Sequence, residues 1–292
     1  MIDSLLNFYK NIPYLLKHVF ARIKKRWIWF ATPFIASIII LLVMMLIFNL
    51  NNTEEIKQAR AYYRLAALTS FAFIWITIYQ VYQIYKKDYF ISKLYNINPI
   101  FQNIIITLAT SVLMFIALVI IIFATPVNIE SSIISTLYYV IMAMVFMVIV
   151  STIIGLLTIL YTKINIIFYI ISSITFFIVP IIFIPSTNEG IITHILMLNP
   201  VYYLIEGISQ SVVLGALSLN NIPYHVYFYM FMGLLCVIIY ALYRTISNKK
   251  YILFENYQQN KRDNNENINT NSENTNGLEK EESDNQKNDI RV

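Results

Sequence analysis

The stretch IITHILMLNPVYYLIEGISQSVVLGALSLNN, Ile191 to Asn221, determines how the rest of the chain is interpreted. It is apolar enough to enter a bilayer, but Asn199-Pro200 breaks it near the middle, and Glu206 and Gln210 interrupt its second half. Because a helix needs about 20 apolar residues to cross a hydrocarbon core about 30 Å thick, neither half spans alone. The pattern predicts a re-entrant or interfacial helical hairpin. Non-helical backbone is tolerated at membrane depth only where protein covers it or where it lines a water-filled cavity. The hairpin therefore suggests a transport path.

The composition of the whole chain is that of a helical membrane protein. Of its 292 residues, 58% are hydrophobic and only 13% are charged, and the mean hydropathy is +0.62. These values predict an all-α polytopic protein and leave no room for a sizeable soluble catalytic domain. The net charge of +5 comes from bases that cluster beside hydrophobic segments, so we interpret it as a topology signal and not as a nucleic-acid footprint.

Hydropathy divides the chain into a leader, 1–29, a membrane domain, 30–254, and an Asn-rich tail, 255–292, that we expect to be disordered and cytoplasmic. The domain contains six predicted spans, at about 30–50, 61–85, 101–125, 135–160, 164–184 and 226–243. The hairpin, about 191–221, precedes the last span. In the leader, Leu16, Phe20, Ile23 and Trp27 recur at helical spacing among basic residues, which predicts an amphipathic helix at the membrane interface. A basic flank that only sets orientation explains the charges equally well.

The basic residues also predict the orientation. With six spans, the leader, the 86–93 turn, Lys163 and the basic flank after the last span fall on one side. By the positive-inside rule both termini are cytoplasmic, in a multi-pass protein of the cell membrane, and the hairpin lies on the outer side. The 51–64 region opposes this trend, because it carries Lys57, Arg60 and Arg64.

The sequence carries no enzyme signature. It contains no GxxxxGK[ST] phosphate loop, no HExxH pair and no GxSxG elbow. Its three histidines, His18, His194 and His225, are scattered, and such residues mark membrane interfaces more often than metal sites. We therefore predict no catalytic residue, no metal and no cofactor in this chain, and active transport would draw its energy from a partner or an ion gradient.

The second half of the hairpin begins with a helix-start signal. Asn199 followed by Pro200 is typical of an N-cap and first helical residue. Tyr203, Glu206 and Gln210 then follow at i, i+3 and i+7 and share one face. A carboxylate near membrane depth is a functional candidate, although a residue at headgroup level that simply meets water gives the same pattern.

Two further residues allow two interpretations each. Arg64 attracts an anionic group of a transported molecule or extends to the lipid headgroups. Tyr79 belongs to a second span rich in aromatic and hydrogen-bonding side chains. Such aromatic faces stack against sugar rings in a carbohydrate channel, or they serve helix packing and interfacial belts.

The order of these parts resembles the membrane subunits of ABC-2 type exporters. The segment LNPVYYLIEG, Leu198 to Gly207, is similar to a segment of the permeases that export wall teichoic acid and lipid-linked polysaccharides. Arg26 to Phe48 looks like the family's aromatic first span, and Lys87 to Gln102 looks like its first cytoplasmic coupling turn. The sequence departs from the family at Ile208-Ser209, where Tyr-Arg is frequent.

The resemblance implies a half-transporter that pairs with a second copy of itself and with two ATP-binding cassette subunits. Those subunits bind the ATP and Mg, and a lipid-linked glycan passes outward between the two copies. The gate and translocation path would involve Asn199, Pro200, Tyr203, Glu206, Gln210, Arg64 and Tyr79. The ATPase contacts would involve Lys86, Lys87, Phe90, Ile91, Leu94 and Tyr95, with Phe20 and Trp27 of the leader.

Two alternatives remain beside the glycan exporter. One is an exporter of the same family that moves a drug, a peptide or a lipid. The other is a membrane scaffold without transport activity, in which the hairpin serves only to pack against a partner.

Overall fold

The structure is all-helical over the residues it describes. The computed structural model describes residues 2–94, 99–126, 130–161, 163–182 and 191–248, and the regular secondary structure in these ranges is α-helix or 3₁₀-helix. The elements are α1 Ile2–Lys25, α2 Trp27–Asn51, α3 Glu55–Leu94, α4 Ile100–Ala124, α5 Ile133–Leu160, α6 Ile164–Ile178, α7 Ile191–Met197, α8 Pro200–Val213, the 3₁₀ segment Gly215–Asn220 and α9 Ile222–Asn248. The predicted disordered tail, 255–292, lies outside the described residues.

Five of these helices are long and apolar enough to cross a membrane. They are α2, α3 over Glu55–Tyr85, α4, α5 and α9. Their outward surfaces are strongly apolar, and α2 and α9 are largely exposed, as expected for helices that face lipid. The prediction of a multi-pass helical membrane protein is confirmed at this level.

The predicted fifth span, 164–184, is only partly helical. Helix α6 ends at Ile178 after 15 residues, a length of about 22 Å that is too short to span. Val179 adopts an extended conformation, with φ −70° and ψ 155°, because Pro180 disfavours helical geometry in the residue before it. The structure therefore gives five candidate spans and one shorter apolar helix where six spans were predicted.

The chain divides into two compact units, Met1–Leu242 and Tyr243–Val292. The first contains α1 to α8, the 3₁₀ segment and α9 as far as Leu242. The second is described only over residues 243–248, which are helical.

Contacts between helices define two ends of the first unit. At one, the leader end, the Arg22 and Asp88 side chains form an ion pair between α1 and α3. At the same end Asn103 Nδ2 donates to Thr152 Oγ1 at 3.1 Å, which joins the start of α4 to the later part of α5. These pairs show that α3, α4 and α5 run alternately up and down.

At the opposite, hairpin end, the start of α5 meets α8. The Ser132 backbone N–H donates to the Ser211 carbonyl oxygen at 3.0 Å, and Ser132 also caps α5 by accepting from the Ser135 N–H at 3.2 Å. The hairpin therefore closes one end of the α3–α4–α5 core.

Helix α3 is the most buried of the candidate spans, and it is longer than predicted. The loop predicted at 51–60 is short, because α2 continues to Asn51 and α3 begins at Glu55. Asn52 makes this tight turn in the left-handed region, with φ 45°, which asparagine tolerates. The turn predicted at 86–93 is instead helical, because the backbone of α3 runs through Lys86 without a break as far as Leu94. The segment contains no glycine or proline before Pro99, so nothing local ends the helix.

The contact between α3 and α5 depends on a missing side chain. A Cβ placed on Gly155 would lie 2.4–2.7 Å from the Cβ, Cγ and Cδ1 atoms of Tyr85. Tyr85 is fully buried, so its ring cannot move aside freely. Gly155 therefore lets the two helices approach closely, as small residues do in membrane bundles.

We expect Gly155→Ala to lower the stability of the protein by about 1–3 kcal/mol, because the added methyl overpacks a filled core. Thermal unfolding in detergent measures this loss. Gly233→Ala is the matched control, since a Cβ there meets nothing within 4 Å among the described residues, and it should leave stability unchanged or slightly raised. Equal midpoints for the two variants would contradict the close approach of α3 and α5.

Candidate functional site

The candidate site is built around α8, whose start follows the predicted capping signal. The Asn199 side chain accepts a hydrogen bond from the Val201 N–H at 3.0 Å, and Pro200 is the first helical residue. The helix ends at Val213, and Gly215 then adopts a φ of +64°. Local sequence rules therefore set both ends of α8.

Helix α8 is enclosed by protein on every side. All thirteen residues from Val201 to Val213 are buried, against α3, α4, α5, α6, α7 and the 3₁₀ segment. Glu206 is only 3% exposed, so the interpretation of a headgroup-level residue that meets water is wrong within this chain. In contrast, Ile191, His194 and Ile195 of α7 are exposed.

The buried carboxyl group of Glu206 lies among polar neighbours without a cation. Gln210 Nε2 donates to Glu206 Oε1 at 2.7 Å, and the phenol groups of Tyr63 and Tyr202 face the carboxyl. However, Glu206 Oε2 and the Tyr202 hydroxyl have no hydrogen-bond partner among the described residues. We call these four residues the Glu206 cluster. Burial raises the pKa of Glu206, and its polar neighbours lower it by less, since removal from water disfavours the charged form.

The helices that Tyr203 contacts differ from those that Glu206 contacts. Its hydroxyl is hydrogen-bonded to His225 Nδ1, and its ring lies edge-on to Tyr139 of α5, with centroids 5.8 Å apart. The His225 Nε2 atom in turn lies 3.1 Å from the Leu219 carbonyl oxygen. The predicted shared face thus divides between α3, on the Glu206 side, and α5 with α9, on the Tyr203 side.

Hydroxyl groups fasten the end of α8 to α5. Ser135, Ser211 and Ser218 form a fully buried triangle, with Oγ–Oγ distances of 2.8, 2.6 and 3.1 Å. The Tyr139 hydroxyl donates to the Ser218 carbonyl oxygen at 2.7 Å. Its ring also fills the space beside Gly207, where a Cβ would lie 2.1 Å from a ring carbon. These contacts hold the 3₁₀ segment and α8 as one rigid piece.

A second polar cluster, at the leader end, joins α1 and α2 to α3. The Arg22–Asp88 ion pair is accompanied by a hydrogen bond from Arg26 Nη1 to Gln80 Oε1 at 2.8 Å. We call these four residues the leader junction. Asp88 is 2% exposed, and burial raises its pKa although the Arg22 guanidinium opposes the shift. The predicted leader helix is thus confirmed as a helix and is packed onto the bundle.

The remaining predicted residues are spread over the chain. Arg64 is next to Tyr63 in α3 but is exposed. Tyr79 lies in the later part of α3, far from the point where Tyr63 faces Glu206. Its hydroxyl accepts a hydrogen bond from the Tyr169 hydroxyl at 3.2 Å.

Of the residues predicted to contact an ATPase, Phe20, Trp27 and Lys87 are exposed. The backbone at 86, 90, 91 and 94 belongs to α3. Tyr95 lies outside the described residues. The structure therefore brings the hairpin residues together and separates them from Tyr79 and from the predicted contact residues at the leader end.

The sequence did not reveal several residues of these clusters. Tyr63, Tyr202 and Asp88 are not among the predicted site residues. A usable signal was present in Asp88, because it is the one acidic residue in the otherwise basic 86–93 segment.

No family model and no curated protein matches the chain. Across the described ranges, His, Cys, Asp and Glu side chains do not come together in groups of three or more as metal ligands would. Function is therefore inferred from the residues and their geometry.

We expect Glu206→Gln to stabilise the detergent-solubilised protein at neutral pH by about 1–2 kcal/mol, because it removes the cost of burying a charge. The folded-state pKa of Glu206 is raised, so its contribution favours folding below the unfolded pKa and is lost as the pH rises through the folded pKa. The difference in thermal midpoint between variant and wild type should therefore grow as the pH is raised above the unfolded pKa of about 4.3. Glu130→Gln, at an exposed carboxylate, is the control and should change little. A constant difference across this range would contradict an uncompensated carboxyl at Glu206.

We expect Arg22→Leu to destabilise the protein near the low end of the about 3–5 kcal/mol found when one partner of a buried ion pair is removed. Arg22 retains some exposure, which reduces the cost. The double variant Arg22→Leu/Asp88→Leu should recover most of the loss. Thermal unfolding of both single variants and the double variant gives the coupling, with exposed Lys24→Leu as the control. Additive losses would mean that the two side chains do not interact.

Proposed function

We propose that the chain is the membrane subunit of an ATP-driven exporter of the ABC-2 type, which moves a lipid-linked glycan outward across the cytoplasmic membrane. The proposal combines the resemblance of the hairpin segment with the arrangement of polar clusters along α3. In the proposed transporter, α6 and the residues after it complete a sixth crossing, and α7 with α8 forms the re-entrant hairpin.

A single helix carries the proposal, because α3 connects the two candidate clusters. Tyr63, near its start, faces Glu206 of the hairpin, and Asp88, near its end, pairs with the leader helix. The separation of 25 positions between them corresponds to roughly 38 Å at 1.5 Å per residue. Since the helix has no glycine or proline between these points, a displacement of its leader end is transmitted to the hairpin.

The leader end would contact the ATPase subunits on the cytoplasmic side. Exposed Phe20 and Trp27 supply apolar contact area, and Lys87 supplies charge. Two copies of the chain would pair around the glycan path, each with one ATPase subunit. In this arrangement both termini are cytoplasmic, as the positive-inside rule predicts.

The hairpin would act as an outer gate that moves as a unit. Glu206 is buried, so its proposed role is to hold α8 against Tyr63 of α3 and not to touch the glycan. The serine triangle and Tyr139 hold the far end of α8 against α5. ATP binding and hydrolysis in the partner subunits would shift α3 relative to α5 and so open the gate.

The test of this assignment is purification of the tagged full-length chain from its native membranes, followed by identification of bound proteins. We expect an ATP-binding cassette subunit in a one-to-one ratio and nucleotide-dependent glycan export in reconstituted vesicles. A bound ATPase with export of a drug, peptide or lipid in place of the glycan would favour the family alternative. Reproducible absence of any ATPase would favour the scaffold.

We expect Phe90→Ala/Leu94→Ala to abolish export and to reduce ATPase copurification by about tenfold, the effect of losing roughly 1.4 kcal/mol of binding free energy. The variant should still insert into the membrane, because it leaves the candidate spans unchanged. Ile56→Ala is the matched control, since Ile56 is 70% exposed at the opposite end of the same helix. Export at the wild-type rate in the double variant would refute the coupling role of this segment.

A further inference from the structure

A polar cleft opens at the hairpin end of the molecule, apart from the Glu206 cluster. It lies where α2 ends, α3 begins and α4 ends, and it has a volume of about 600 Å³. This size falls in the range of about 300–1,000 Å³ that is typical of ligand pockets. Because the cleft lies at the ends of three candidate spans, a water-soluble group can reach it.

Two of the three helices around the cleft, α2 and α3, present polar side chains to it. Asn49 and Asn52 come from the end of α2, and Gln58 and Tyr62 come from the first turns of α3. Gln58 and Tyr62 are four residues apart and therefore share one helix face. Gln58 Nε2 donates to the Thr53 carbonyl oxygen at 2.7 Å, which fixes the orientation of this amide.

The floor of the cleft is aromatic. Tyr62 is 2% exposed, and its ring meets Phe48 edge-on, with centroids 5.7 Å apart. Met45, Leu46 and the end of α4 add apolar surface. The lining of the cleft therefore combines side-chain amide groups with aromatic and aliphatic carbon surface.

The charge of the cleft selects the class of ligand. Among the described residues that line it, Glu55 carries the one formal charge, and none is Lys, Arg or His. Phosphates and carboxylates are recognised by arginine and lysine, so the lining disfavours anions. The Glu55 carboxylate and the aromatic floor also suit an ammonium group, but an ammonium group has no acceptor for the N–H groups of the three amides, which offer donors as well as acceptors.

We propose that this cleft binds an uncharged polyhydroxyl ligand, a sugar unit, through Asn49, Asn52 and Gln58, with Tyr62 beneath the ring. A hydroxyl group donates and accepts at once, which matches an amide better than a phosphate or an ammonium does. The site goes beyond the proposed export function, because it is separate from the Glu206 cluster and needs neither ATP nor an ATPase for binding.

The experiment is ligand-observed NMR on the full-length chain, purified in an amine-oxide detergent so that no sugar headgroup of the detergent fills the cleft. The probes are N-acetylglucosamine and glucose, with choline and inorganic phosphate measured in parallel. We expect saturation transfer to at least one sugar at millimolar concentration, no saturation transfer to choline, and no broadening of the phosphorus signal of inorganic phosphate. Asn49→Ala should weaken the affinity for the sugar about fivefold, the loss expected for one hydrogen bond.

Asn51→Ala is the matched control, because Asn51 is also exposed near the end of α2 but does not line the cleft. It should bind the sugar as the wild type does. The proposal is overturned if neither sugar binds, if choline or phosphate binds in place of the sugar, or if the two asparagine variants lose binding equally. Each of these outcomes leaves the ATPase assignment untouched, and a missing ATPase leaves sugar binding untouched.

Discussion

The structure depends on the enclosure of a short polar helix within an apolar bundle. Helix α8 carries a carboxyl, an amide and several hydroxyl groups but is fully buried, and buried polar groups need hydrogen-bond partners. Its neighbours therefore supply the partners: Tyr63 from α3, Ser135 from α5 and Ser218 from the 3₁₀ segment. Their placement fixes how α3 and α5 pack. Hydrogen bonding of these polar groups is incomplete at Glu206 Oε2, which has no partner among the described residues.

The two polar clusters give α3 a role that a simple membrane anchor would not need. Helix α3 is the most buried of the candidate spans, and it contacts the Glu206 cluster near its start and the leader junction towards its end. One end holds the hairpin and the other holds the leader. A rigid element with a specific contact at each end is a physical requirement for transmitting a movement, and this arrangement supports the exporter proposal.

Local rules predicted the elements whose causes are local. Asn199-Pro200 starts α8 as capping preferences require, and the long apolar runs form helices at the expected places. The predictions that failed depend on wider context. The apolar run 164–184 appears continuous, but Pro180 ends α6 early. The polar segment 86–93 is predicted as a turn, although its residues continue α3 as far as Leu94.

The candidate site was predictable only in part, because its polar partners come from distant parts of the sequence. Glu206 and Gln210 were found from their spacing within one helix. The contact with Tyr63, 143 positions earlier in the numbering, arises from the packing of α3 against α8. Asp88 pairs with Arg22 because α1 packs onto the leader end of the bundle, where it also contacts α4, and no periodicity encodes that pairing.

The three-residue turn between α2 and α3 has a consequence for how the chain reaches the membrane. Helix α3 is the least apolar of the five candidate spans, whereas α2 is strongly apolar and largely uncovered by protein. A polar segment partitions poorly into lipid by itself, but here it follows its neighbour after only residues 52–54. The geometry thus favours co-translational entry of α2 and α3 together as an antiparallel pair. Helix α2 supplies most of the hydrophobic free energy of insertion, and α3 gains its remaining partners as later helices emerge from the ribosome.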